Sequence, residues 1–314
     1  MELKTEFPVG TFNASSRRFR CVTPFISLFL PWMRNRLIIW VVIVSGLCVA
    51  AFSSARAAVI DFEDAADLDL FNQVTSPTFW SRTGAAGLNG GTGLTGPNSG
   101  TPGWVILKTP ISATAPGVSG GMYLKLARPT STSSGYSLLF GISSSATYVP
   151  NLGTVDDPDQ NHFNAAIHYT KNDDPRRFRV AAQASNGGVL TTNYGEYGNL
   201  DDGWYYLSLE STFDAETQLY SISVGLYASS NTGVLASTPV LTATMEDVSL
   251  PGLVAAGDAY LFFGIDGRTE TRGISALDRF TYQVIPEPSP VTLAIMAGLT
   301  ALAGCRMGRR TRRL

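Results

Sequence analysis

The chain has two histidines, His162 and His168, six residues apart in a run that alternates polar and apolar positions. An imidazole pair suggests a metal, but six residues of extended chain separate the two by roughly 20 Å at about 3.3 Å per residue. They cannot grip one ion together, and they read as solvated polar positions or as the rim of a ligand face. Just upstream, Asp156, Asp157, Asp159 and Asn161 offer alternating oxygen ligands, as a helix–loop–helix calcium loop does. His162 stands where that loop needs glycine and His168 where it needs a bidentate glutamate, which excludes the geometry. Glycoside hydrolysis calls for two carboxylates about 5 to 9.5 Å apart. Glu196, Glu210, Glu216, Glu246 and Glu270 are each isolated from such spacing, and no G-x-S-x-G elbow supplies a nucleophilic serine. Sugar binding asks instead for aromatic platforms and hydrogen-bonding side chains. Trp80, Trp104, Tyr194, Tyr197 and Trp204 are the candidates, with Tyr194 and Tyr197 in the turn-rich stretch NYGEYGN.

The elements that must position these residues have period two. Met122, Leu124 and Leu126 alternate with Tyr123 and Lys125; Phe163, Ala165, Ile167 and Tyr169 alternate with His162, Asn164 and His168; Ile222, Val224 and Leu226 alternate with serine and glycine. Each run predicts a half-buried strand. Further strands are expected at 136–142, 177–184, 204–211, 238–244, 259–265 and 277–285, with turns at 213–218 and 229–233. No apolar stripe holds helical spacing over three turns. The fold class is therefore all-β, an antiparallel β-sandwich or jelly roll. The stretch 84–103 has eight glycines in twenty positions and reads as a long surface loop. Its G-x-G-x-x-G at Gly91 to Gly96 lacks the flanking strand and helix of a dinucleotide site and is a chance match.

The two ends differ from this middle. Met33 opens a stretch with two arginines, an apolar run from Leu37 to Phe52 and small residues at Ala55 and Ala57, the three-part plan of a secretory signal peptide cut after Ala57. Residues 1–57 are thus an upstream extension plus signal peptide, 58–285 a sandwich domain, and 286–314 a separate tail. The three cysteines, Cys21, Cys48 and Cys305, all lie outside the middle, so the domain has neither disulfide nor thiolate chemistry. Residues 59–288 hold 11 Lys plus Arg against 23 Asp plus Glu, a net charge of −12 that argues against nucleic-acid binding. In the tail, Pro286-Glu287-Pro288 precedes fourteen uncharged residues from Val291 to Gly304, after which Arg306, Arg309, Arg310, Arg312 and Arg313 mark a cytoplasmic end.

This order of a Pro-Glu-Pro motif, a short apolar span and an arginine cluster resembles the PEP-CTERM sorting signal of Gram-negative bacteria that make exopolysaccharide. The resemblance implies handling by exosortase, a membrane-embedded protease or transpeptidase, near Pro286 to Pro288. It also implies transient membrane anchoring and a final location on the cell surface or in the extracellular matrix. The middle resembles concanavalin A-like sandwiches and carbohydrate-binding jelly rolls on the acidic-apolar stretches that open it at Val59 and close it at Ile285, and its segment from Asp202 to Tyr227 resembles the central hairpin of laminin G-like domains. That likeness implies pairing of the first and last strands with a structural calcium ion nearby, for which Glu63, Asp64 and Asp278 are the expected ligands. The expected function is a non-catalytic binding or structural component of exopolysaccharide. A sandwich-fold glycoside hydrolase is the alternative, although the compact E-x-D-x-x-E strand of sandwich glucanases is missing from the chain.

Overall fold

The computed structural model describes residues 56–74, 80–96, 103–130, 134–147, 161–170, 177–265 and 273–285. Most of the signal peptide, the whole Pro286 to Leu314 tail with its motif, span and arginines, and the acidic loop at 156–159 lie outside the described residues. Among those described, no helix is long and apolar enough to cross a membrane.

The described residues form seventeen strands, which begin in chain order with β1 (Arg56–Ile60), β2 (Phe71–Val74), β3 (Ser81–Thr83), β4 (Gly93–Thr95), β5 (Gly103–Leu107) and β6 (Ile111–Ser112). They continue as β7 (Gly117–Leu126), β8 (Gly135–Ser143), β9 (His162–Tyr169), β10 (Arg177–Asn186), β11 (Val189–Tyr194) and β12 (Gly198–Asn199). The last are β13 (Gly203–Asp214), β14 (Leu219–Ser229), β15 (Leu241–Ser249), β16 (Asp258–Ile265) and β17 (Ile274–Ile285). Two antiparallel sheets result. The first is ordered β15-β14-β13-β7-β17-β4-β3, with β1 also on β17; the second is ordered β11-β10-β9-β8-β16-β5-β2, with β12 on β10 and β6 on β16. Strand alternation turns one side of each sheet inward. Leu207, Leu209, Met122 and Leu124 from the first sheet meet Phe140, Phe163, Val180 and Phe263 from the second in one hydrophobic core. The architecture is the all-β sandwich that the sequence predicts.

The first and last strands pair, Ile60 opposite Phe280 and Ala57 opposite Gln283. Cleavage after Ala57 would therefore leave Ala58 to Ile60 still paired with β17. Two interruptions of register redirect side chains between the core and the outer faces. One lies between Asp278 and Phe280 of β17, where Arg279 adopts a φ of 43°. This bulge lets Leu277 and Phe280, three residues apart, both point into the core while Asp278 turns outward. The other lies between Tyr136 and Leu138 of β8, and it puts Tyr136 on the outer face while Leu138 stays in the core.

Two sequence expectations need correction. The strand expected at 238–244 begins at Leu241 and runs to Ser249. The glycine-rich stretch is not a free surface loop over its described part. Leu88 and Leu94 are buried, residues 88–90 form a 3-10 turn and 93–95 join the first sheet as β4.

Candidate functional site

The outer face of the second sheet gathers polar and aromatic side chains from six strands. Register alone sets out two adjacent rows. Trp104, Gly264, Leu139, Ala166, Ala181 and Tyr194 follow one another across β5, β16, β8, β9, β10 and β11. Ile106, Phe262, Gly141, Asn164, Gln183 and Thr192 form the next row. The face is thus apolar toward β5 and polar toward β11. At the apolar end Trp104 and Phe262 meet edge to face, with centroids 6.1 Å apart. The indole lies flat on Gly264, where a Cβ would collide with its Cε3. The chain leaving β8 crosses toward this end, and the Asn72 side-chain amide donates to the Ala146 carbonyl at 3.2 Å.

The polar end is a connected ladder. Asn164 Nδ2 donates to Gln183 Oε1 at 2.9 Å, and Gln183 Nε2 donates in turn to the hydroxyls of Tyr136 at 3.0 Å and Thr192 at 3.1 Å. The Tyr136 and Tyr194 hydroxyls share a hydrogen bond at 2.6 Å. Burial, followed by this bond to Tyr194, raises the Tyr136 phenol well above its ordinary value. Beside the ladder the Arg179 guanidinium sits 3.5 Å from the Tyr194 ring centre and 4.5 Å from that of Tyr197, while Arg177 lies 4.9 Å from Tyr197. The Tyr197 hydroxyl and His168 Nδ1 are 3.2 Å apart. Burial, with the Arg179 charge second, lowers the His168 pKa to about 4, so this imidazole is neutral at pH 7.

Among the described residues, four buried nitrogen and oxygen atoms on this one face lack a hydrogen-bond partner: both ring nitrogens of His162, Asn164 Oδ1 and Arg179 Nε. Leaving a buried polar atom unpaired costs about 1 to 3 kcal/mol. Desolvation alone takes the His162 pKa down to about 3. The face therefore encloses unused donors and acceptors, out of reach of solvent, behind the exposed Tyr194 and half-buried Tyr197 rings.

The predicted ligand residues divide accordingly. Tyr194 and Tyr197 come together with Arg179 and His168 on the polar end, and Trp104 occupies the apolar end of the same face. Trp80 belongs to the core instead, packed edge-on to Phe263 at 5.7 Å, and Trp204 lies on the other sheet against Leu88, Tyr123 and Ala276. The histidines do share one face, as their spacing requires. His162, however, is 1% exposed and not solvated, with the Phe262 ring edge-on to its imidazole at 6.3 Å. Sequence reasoning missed Tyr136, Gln183 and Arg179. The last two carried a signal, since they alternate with Val180, Ala182 and Ala184 along β10; Tyr136 is turned outward by a bulge that no pattern announces.

The three carboxylates expected at a calcium ion serve backbone amides. Asp278 Oδ2 accepts from the Leu88 amide at 2.7 Å and Oδ1 from that of Arg279 at 2.7 Å. Glu63 Oε1 accepts from the Thr92 amide at 3.0 Å, and Asp64 caps the 3-10 helix at Ala65–Leu70 in a reciprocal box with Asp67. Burial raises the Asp278 pKa, and the charge of Glu63 adds to the rise. Among the described residues no three His, Cys, Asp or Glu side chains are grouped to hold a metal ion.

No protein-family model and no curated protein matches the chain. Solved structures do resemble it in shape. The CBM2 module of the evolved Dit of Lactobacillus casei BL23 phage J-1 is 11% identical, with 74% of this chain and 98% of that one covered at a TM-score of 0.44. Lectin I-B4 of Griffonia simplicifolia, in a metal-free form, is 8% identical over 72% of this chain and 98% of its own, at a TM-score of 0.46. Arcelin-5, a lectin-like defense protein of Phaseolus vulgaris, is 13% identical over 75% and 100%, at a TM-score of 0.45. All three scores lie below 0.5, and the sandwich stands on its own strand pairing.

Proposed function

We propose that the chain is an exported, non-catalytic glycan-binding protein that takes polysaccharide on the outer face of the second sheet. What supports the reading is one arrangement: unpaired buried donors and acceptors set in line with tyrosine rings that already have fixed orientations. A sugar ring presents an apolar C–H face and a rim of hydroxyls, each able to donate and accept. Tyr194 and Tyr197 offer surfaces to the former, and the Tyr194 and Thr192 hydroxyls, at the accessible end of a ladder that the buried Asn164 and Gln183 hold in place, offer groups to the latter. Stacking on Arg179 holds both rings before any ligand arrives, which lowers the entropy cost of binding.

Delivery belongs to the same proposal. The signal peptide exports the domain, and exosortase handling at Pro286 to Pro288 places it on the cell surface or in the matrix. Affinity electrophoresis of the full chain in gels containing laminarin, mannan, xylan or polygalacturonate tests the binding. Retardation by at least one polysaccharide that weakens about tenfold, some 1.4 kcal/mol, in Tyr194→Ala supports the reading. No retardation by any of them, or release of reducing ends on incubation, overturns it. The sorting step is tested by Glu287→Ala in an exosortase-bearing host, where the protein should stay with the membrane fraction.

A further inference from the structure

The outer face of the first sheet carries a groove of about 360 Å³ that the glycan-binding face does not include. Its floor comes from β13, β14, β7 and β17. Tyr206, Ser208 and Glu210 alternate with Tyr205, Leu207 and Leu209 of the core, so they point outward. Register then arranges three parallel rows. Tyr227 and Tyr206 stand in the first, Gly225, Ser208, Gly121 and Thr281 in the second, and Glu210, Ser119 and Gln283 in the third. The middle row is small for a reason that can be measured. A Cβ at Gly121 would lie 2.7 Å from Cζ and Oη of Tyr206, and one at Gly225 would lie 2.8 Å from Cε2 of Tyr227. Both rings therefore lie down along the sheet over glycines. The Tyr206 ring is held there by a 2.7 Å hydrogen bond between its hydroxyl and that of Thr281. Val59 of β1 and Leu235 of the loop after β14 form the side walls, and both are exposed, at 67% and 38%.

We infer that this groove is a second glycan site, on the opposite face of the sandwich, and that its ligand is a neutral glycan. The volume suits a small-ligand site, which typically begins near 300 Å³. The two flat rings and the apolar walls match the C–H faces of pyranose units. The third row sets a carboxylate, a hydroxyl and an amide side by side, which matches neighbouring hydroxyls. Glu210 is the single charged side chain among the described residues lining the groove, and a uronate or sulfate placed beside it would be repelled. The ligand class rests on the glycan-binding reading above; the site itself does not. A domain with one site on each face binds two chains at once, so it cross-links polysaccharide and gains avidity without any new contact.

Isothermal titration of the full chain with laminarihexaose, mannohexaose and hexagalacturonate tests this. A neutral hexasaccharide should bind at two sites per chain. The double substitution Glu210→Gln with Tyr227→Ala should leave one site, Tyr194→Ala should leave the other, and Glu210→Gln alone should weaken the groove about tenfold, the loss of one charge-assisted hydrogen bond. Hexagalacturonate should not occupy the groove. Two sites that persist unchanged in the double variant, or a wild-type stoichiometry of one that Tyr194→Ala abolishes, overturn the second site and leave the first standing. A stoichiometry of one that the double variant abolishes while Tyr194→Ala is silent upholds the groove and overturns the face on the second sheet. Unchanged circular dichroism of the variants confirms that each loss is local.

Discussion

The two outer faces of the sandwich treat buried polarity in opposite ways. On the first sheet Asp278 is buried, yet each of its oxygens accepts a backbone amide, and the glycine-rich stretch it holds covers Tyr123 and Trp204. On the second sheet Asn164 and His162 are equally buried, and Asn164 Oδ1 and both His162 ring nitrogens are left without a partner. A polar group with all its partners is part of the scaffold. One without them carries an uncompensated cost, and the two kinds of polarity stand side by side within a single fold.

The largest expected effect breaks the satisfied side. Asp278→Ala frees the Leu88 and Arg279 amides inside the protein and should cost about 2 to 4 kcal/mol in urea unfolding. If the loss is under about 0.5 kcal/mol, solvent reaches both amides and the loop is not anchored as described. Acid should act next, and on the other face. His162 and His168 have folded-state pKa values near 3 and 4, below the ordinary 6.5, so the unfolded chain takes up protons first as pH falls. Their stabilising contribution is complete above pH 6.5 and is lost on acidification toward pH 4, by up to about 1.4 kcal/mol per pH unit for each histidine. Thermal melts between pH 7 and 4 should show that slope, and His162→Gln should flatten it; an unaltered slope would place the titration elsewhere.

Smaller effects sharpen the same contrast. Asn164→Leu should leave stability within about 1 kcal/mol, because the apolar group removes an orphaned oxygen as it removes one hydrogen bond, yet by freeing Gln183 it should weaken retardation by polysaccharide without abolishing it. Chelation with EDTA should shift Tm by less than about 2 °C if backbone amides alone satisfy Glu63 and Asp278, whereas a larger fall would put an ion between them. The least effect is expected from Glu210→Gln, within about 0.5 kcal/mol of wild-type stability, because its side chain is exposed.

Much of the fold could be read from alternation. Strands β7, β9, β10, β13, β14 and β16 all coincide with runs whose apolar residues fall at every second position, and β17 does so from Phe280 to Val284, beyond its bulge. The short strands β2 to β6 could not be read in this way. Two to five residues give no period to detect, and Leu94 of β4 is buried amid glycines by its pairing with Leu277, a partner far away in the chain. The site was legible only at its rim. Aromatic type marked Tyr194, Tyr197 and Trp104, but the same criterion chose Trp80 and Trp204, because an indole fills a core as readily as it meets a ligand. Which face a side chain takes depends on bulges at Ser137 and Arg279, and these arise from long-range pairing.

The position of β17 has a mechanical consequence. Phe280 to Tyr282 are gripped on one side by the Ala58 to Ile60 part of β1 that cleavage after Ala57 would spare, and on the other by β7, which holds β17 as far as Ile285. Tension transmitted through the tail enters along the axis of a strand clasped from both sides. Its hydrogen bonds are then loaded in parallel, as in a lap joint, and do not open one after another like a zipper. Pulling on this end of the domain therefore loads the pairing of β17 in shear.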